Sequence, residues 1–161
     1  TNVDAHDYEP TTSDIAKLQK AQVIIVNGAG YDARAVKAAQ SANATIVNAA
    51  AVGGVNDGEN PHVWFSADVR KAVAQAITEA YEQADAAKKN DFDKLHDQWK
   101  SEENNVESKI AEVKQKSDGL AYAATESVAS YLAEDMGLAD ATPSGYARAT
   151  ANESEPTPTD I

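Results

Sequence analysis

The stretch "QVIIVNGAG" (residues 22–30) decides how the chain folds. Its apolar, β-branched run has the length of a strand and no polar alternation, which suits a buried strand of a parallel sheet. It closes on an asparagine and two glycines, the composition of a tight turn. "YDARAVKAAQ" (31–40) follows with helical composition, and "ATIVN" (44–48) is a second short buried strand. Strand, helix and strand with such short connections is the pattern of an α/β sheet.

Upstream, Ile15 and Leu18 recur at helical spacing within Ser13 to Lys20, and Thr12 or Ser13 is placed to cap that helix. Downstream, "AAAVGGVNDGENP" (49–61) is a Gly- and Asn-rich loop leading to "HVWF". Ser66 then caps a helix whose Val69, Ala72, Val73, Ala76, Ile77, Ala80 and Tyr81 fall on one stripe, with Arg70, Lys71, Glu79 and Glu82 off it. A second long helix is expected from Asp91 to about Lys116, with Phe92, Leu95, Trp99, Val106, Ile110 and Val113 recurring by threes and fours. "LAYAAT" (120–125) reads as a strand and "ESVASYLAEDMGL" (126–138) as an amphipathic helix closed by Gly137. After that the periodic pattern dissolves.

Bulk composition limits the chemistry. The 161 residues suffice for one compact domain or two small lobes. Acidic residues number 26 against 14 basic, a net charge of −12, and such a field repels nucleic-acid phosphates and anionic lipid while attracting cations. The same acidity also serves solubility alone. With no cysteine, thiolate metal sites, disulfides and cysteine nucleophiles are excluded, so any metal is held by nitrogen and oxygen. No apolar run reaches the ~18 residues of a membrane span, and no export signal opens the sequence.

Several groups are candidates for function. "NGAG" (27–30) invites a nucleotide reading, but no third glycine completes GxGxxG, and a strand-to-helix turn needs such glycines anyway. A hydrolase triad is disfavoured because no GxSxG elbow is present. Of the three histidines, His96 falls one position off the apolar stripe of the second long helix, where a histidine usually flanks the core. His6 and His62 instead lie in loops, at the end of an apparent strand or just before a helix, where α/β sheets place their ligand sites. Glu126 follows the strand-like 120–125 and opens the next helix. It is therefore either a third group at a strand's carboxyl end or a carboxylate complementing the helix dipole.

Four motifs in order, "HDYEPTTSDIAKLQKAQVIIVNGAGYD", "NPHVWFSADVRKAVAQAI", "AATESVASYLAEDMGL" and "ANESEPTPTDI", resemble the cluster A-I substrate-binding proteins of ABC-type transporters, the metal-capturing subunits of manganese and zinc importers. The likeness runs from residue 4 to the last residue. It implies two α/β lobes joined by a long rigid helix, with a metal held in the cleft between them. On this sequence the first lobe is expected over 1–65, the linking helix over 66–88 and the second lobe over 89–161.

The resemblance further implies His6, His62 and Glu126 as metal ligands. Two imidazoles and a carboxylate suit Mn²⁺, while the Irving–Williams order favours Zn²⁺, so either ion is the expected cargo, with manganese preferred. The implied function is extracytoplasmic capture of that ion for a membrane permease, without catalysis; a cell-surface adhesin is the alternative. "HDYEP" follows Ala5 where the family often has a proline. The family's opening strands, export signal and lipid-attached cysteine are expected before residue 1. Its fourth ligand, an aspartate, is expected beyond Ile161, since Asp160 does not match its context. The fold is thus expected to be truncated at both ends.

Overall fold

A computed structural model describes residues 8–117, 119–151 and 154–160. The first half contains α1 (Thr12–Leu18), β1 (Val23–Val26), α2 (Ala33–Ala39) and β2 (Thr45–Asn48). β1 and β2 are parallel, with Val23 opposite Thr45 and Val26 opposite Asn48. Ile24 and Val26 are buried with Ala39, packed against Leu18 and Val36 from the flanking helices. Burial is one-sided, however, and Ile25 is 47% exposed. The parallel pairing expected of this run is present, but burial on both faces is not. A continuous apolar strand is fully covered only where helices and neighbouring strands enclose it on every side.

Helix α1 is capped by Thr11, one residue before the expected Thr12 or Ser13, in a reciprocal capping box. The Asp14 amide donates to Thr11 Oγ1 at 3.2 Å, and the Thr11 amide to Asp14 Oδ2 at 3.0 Å. The stretch read as a loop from residue 49 opens with a helical turn, α3 (Ala49–Val52), because the Asn48 side chain accepts from the Ala51 amide at 3.0 Å. A 3-10 turn, Val63–Phe65, leads into α4 (Ala67–Ala84), capped by Ser66 as expected.

The helix read from Ser66 to about residue 88 ends at Ala84 and, through the 3-10 turn Ala86–Lys88, folds back into α5 (Lys89–Lys116). Arg70 meets Glu103, Thr78 meets His96 and Tyr81 stacks on Phe92, so residue numbers rise on one helix as they fall on the other. The two form an antiparallel hairpin. His96 belongs to this seam: Nδ1 lies 3.0 Å from Thr78 Oγ1 and the ring stacks on Trp99, the core-flanking role its position suggests.

The second half holds β3 (Ala121–Tyr122), α6 (Ser130–Asp135), β4 (Ala139–Asp140) and α7 (Ser144–Ala151), with β3 and β4 parallel. Three expectations are corrected here. The strand 120–125 has two residues, the helix begins at Ser130 and not at 126, and the tail carries a strand and a helix. Tertiary hydrogen bonds account for the first two differences. Ala124 N donates to Thr142 Oγ1 and Ser127 O accepts from Asn60, which commits this backbone to partners outside a helix. β4 exists through its pairing with β3, in which Ala139 N donates to Leu120 O at 3.0 Å and Ala141 N to Tyr122 O at 2.7 Å. Gly137 does close α6. Its φ is +71°, Leu138 N bonds Ala133 O and Gly137 N bonds Glu134 O, the two bonds of a Schellman motif.

Glu103 is buried on α5 and pairs with Arg70, whose Nε donates to it at 3.0 Å while Nη2 makes a second, shorter bond. Replacing Glu103 by Ala leaves Arg70 partly buried without its counter-charge, and a loss of about 3 kcal/mol is expected in a denaturant melt. A loss under ~1 kcal/mol would show that the pair does not hold the hairpin together. Separately, Asp14 accepts from the Thr11 and Tyr8 hydroxyls, which hold its carboxyl well below the usual carboxylate range. A lowered folded pKa stabilises α1 above the unfolded value of ~3.9 and is lost as pH falls below it. Protection of the α1 amides, corrected for intrinsic exchange, should therefore fall on acidification, and in Asp14→Asn should be low and nearly independent of pH.

Candidate metal centre

His62 is 9% exposed and directly precedes the 3-10 turn. Its backbone amide donates to Asn60 Oδ1 at 3.1 Å, and its ring Nδ1 lies 2.6 Å from the same oxygen. The orientation of the Asn60 amide is fixed at its other end, where Nδ2 donates to Ser127 O at 2.8 Å. Oδ1 only accepts, so Nδ1 carries the hydrogen, and in the neutral imidazole Nε2 is then the lone-pair nitrogen. The imidazole stands edge-on to two aromatic rings, Tyr31 at 6.2 Å and Trp64 at 5.4 Å between centroids. Tyr31 and Trp64 touch each other at 5.2 Å, and Trp64 is 39% exposed, so the indole forms the solvent-side wall.

The "NGAG" turn positions this wall. Gly28, Ala29 and Gly30 have φ of +80°, +50° and +83°, a run of left-handed residues that reverses the chain within one step of β1. The Asp32 carboxylate accepts from Asn27 N at 2.8 Å and Gly28 N at 2.9 Å. Two amides of this turn are thus already bonded to an internal anion, which counts against a phosphate there. Asn27 Nδ2 donates to Pro61 O at 2.9 Å and so ties the His62 loop to the carboxyl end of β1. His62 accordingly sits at the sheet edge expected of it.

Glu126 lies in the bent segment between β3 and α6 and is exposed. It lines an apolar cleft with Tyr122, Leu132, Met136 and Leu138, and among the described residues its carboxylate makes no hydrogen bond or ion pair. Because α6 starts at Ser130, Glu126 is outside the first helical turn, and the dipole explanation for it no longer holds. Three long-range hydrogen bonds seat this segment and α6 against the His62 loop and the start of α4: Asn60 Nδ2 to Ser127 O, the Tyr131 hydroxyl to Asn60 O at 2.8 Å, and Ala67 N to Asp135 Oδ2 at 3.2 Å. Burial, then the Glu59 and Glu134 carboxylates, push the Tyr131 phenol above its usual range, so it remains a donor at neutral pH.

His6 lies outside the described residues. Among the described residues no group of three or more His, Asp or Glu side chains converges to hold a metal. The structure brings together the loops bearing His62 and Glu126. Residue-type reasoning missed Asn27, Tyr31, Asp32, Asn60 and Tyr131. The "NP" before His62 was the available signal for Asn60, since asparagine before proline favours side-chain to backbone turns.

A family model described as ZnuA, "Zinc-uptake complex component A periplasmic", matches residues 1–161. No curated protein matches. Among solved structures, the periplasmic zinc-binding protein TroA from Treponema pallidum is 16% identical with a TM-score of 0.76, over 98% of this chain and 60% of that one. The metal-dependent lipoprotein YcdH from Bacillus subtilis is 24% identical with a TM-score of 0.78, over 89% of this chain and 56% of that one. The Zn(II)-bound ZnuA-like domain of AdcA from Streptococcus pneumoniae is 20% identical with a TM-score of 0.73, over 88% and 55%. At these identities the likeness is one of fold. The chain spans about 60% or less of the length of these three proteins.

Gly28 is the residue on which the aromatic wall depends. A Cβ there would lie 2.1 Å from Asn48 Oδ1, and the positive φ alone costs an L-residue about 1–2 kcal/mol. Gly28→Ala should lower the melting temperature and shift Trp64 emission to the red as the indole loses its packing on Tyr31. Unchanged stability and emission would show that the turn does not set the wall.

Proposed function

The chain belongs to the family of periplasmic zinc-uptake component A proteins, and from that premise we propose that it is part of an extracytoplasmic receptor that captures a divalent transition metal for an ABC-type permease. It binds and releases, and catalyses nothing. The observation that carries the reading is the state of His62: buried, at the carboxyl edge of the first sheet, with Nδ1–H committed to Asn60 and the lone pair placed on Nε2.

The proposed ligands are His6, His62 and Glu126, with the cleft lying between a first lobe built on β1–β2 and a second built on β3–β4. Imidazole nitrogen and carboxylate oxygen form a mixed donor set that accepts Zn²⁺ and, being harder than an all-imidazole shell, also Mn²⁺. Selectivity between them then rests on geometry and supply, since intrinsic affinity favours zinc. The excess of carboxylates over cations draws either ion towards the cleft. No helix among the described residues is long and apolar enough to cross a membrane.

Calorimetric titration with Zn²⁺ and with Mn²⁺ tests the reading. Saturable binding of at least one ion is expected, and His62→Ala or Glu126→Gln should each weaken it by more than ~100-fold, beyond the 10–100-fold typical of groups that only orient a ligand. Equal heats from the parent chain and His62→Ala would sink the assignment.

A further inference from the structure

We propose that Asn60 is a positioning residue through which metal at His62 governs the seating of the Glu126 loop, an inference that rests on the metal-capture reading above. Asn60 spans the two halves with both atoms of its side-chain amide and with its backbone carbonyl. Oδ1 receives both donors of His62, the backbone amide at 3.1 Å and Nδ1 at 2.6 Å. Nδ2 donates at 2.8 Å to the carbonyl of Ser127, the residue after Glu126. The backbone carbonyl accepts from the Tyr131 hydroxyl at 2.8 Å. One side chain thus lies between the imidazole and the loop that carries the carboxylate.

The chemistry of the amide makes this a relay. A cation at Nε2 withdraws electron density from the ring and makes Nδ1–H a stronger donor to Oδ1. That polarises the amide and strengthens the Nδ2–H bond to Ser127, since bonds in a chain reinforce one another. Pro61 keeps the geometry short and stiff, because a residue before proline is held in the extended region and cannot swing its side chain away by turning helical. Only asparagine fits both ends: aspartate keeps the acceptor for His62 but sets an oxygen against the Ser127 carbonyl, and alanine loses both bonds.

The test uses the full chain, its Asn60→Ala and Asn60→Asp variants, and Zn²⁺ as probe. Three quantities are read: the His62 tautomer from ring ¹⁵N shifts without metal, Zn²⁺ affinity by competition with a chelator, and hydrogen exchange of residues 125–131 with and without Zn²⁺. The parent chain should show the Nδ1–H tautomer and slower exchange in 125–131 when Zn²⁺ binds. Asn60→Ala should lose the tautomer preference, bind about tenfold more weakly and lose the metal-dependent protection. Asn60→Asp should restore the tautomer and most of that tenfold loss, yet leave the protection absent. A bridge that is structural only would give the two variants the same phenotype, which overturns the proposal, as does protection that persists in Asn60→Asp. If Asn60→Ala does not fold, Asn60→Asp against the parent chain decides: a kept tautomer with lost metal-dependent protection of 125–131 is expected, and protection that persists overturns the relay. Failure of the parent chain to bind Zn²⁺ or Mn²⁺ overturns the capture reading itself, whereas binding without protection of 125–131 overturns only the role of Asn60.

Discussion

A charge taken out of water has to find its partner inside the protein, and Glu103 imposes that constraint on the middle of this molecule. It lies 7% exposed on α5, where an unpaired carboxylate would be costly, and Arg70 of α4 meets it with two nitrogens. The pair aligns the two helices at one register. The same guanidinium also donates through Nη1 to Phe65 O at 3.0 Å and Trp64 O at 3.3 Å. The turn that follows His62 is therefore fixed by the interaction that fixes the hairpin. Local structure at the candidate site and the packing of the longest helices share one ion pair.

The halves on either side of the hairpin are joined differently. Each sheet is two-stranded, and the first is backed by its own apolar cluster of Ile24, Val26 and Ala39. Among the described residues, a second cluster, Ala29, Ala50, Val63 and Val69, receives Tyr131 alone from the far half. Among the described residues, Asn60 Nδ2 and the Tyr131 hydroxyl also donate across, and Asp135 accepts from Ala67 N. Contacts of this kind are exchangeable with water at small net cost, unlike the burial of a large apolar face.

Much of this architecture was legible in the residues. "VIIV" and "TIVN" gave parallel strands because β-branched side chains stiffen an extended chain, and Ser66 capped its helix because its hydroxyl accepts from the Val69 amide, which has no helical carbonyl four residues before it. The family resemblance drawn from the ordered motifs agrees with the family model that matches the whole chain. What was not legible lies where the pattern is weak. "AD" at 139–140 has no strand signal of its own and is extended because β3 supplies hydrogen-bond partners. Glu126 reads as a helix start because "ESVASYLAED" is amphipathic, yet Asn60 and Thr142 hold the backbone before Ser130 in other bonds.

The sequence by itself determined the strand, helix and strand of the first sheet, the two long helices, the glycine turn, the Gly137 cap and the chemical nature of the candidate ligands. Those features depend on side-chain shape, backbone freedom and functional groups, all properties of near neighbours in the chain. The tertiary structure alone decided which imidazole nitrogen bears the lone pair, which anion fills the amides of the "NGAG" turn, and which residue joins His62 to the loop of Glu126. Each of those rests on a hydrogen bond whose direction or reach depends on the fold, and the bond from Asn60 to Ser127 spans 67 residues. A bond of that span closes only once the intervening hairpin has folded back on itself, so periodicity and composition do not register it.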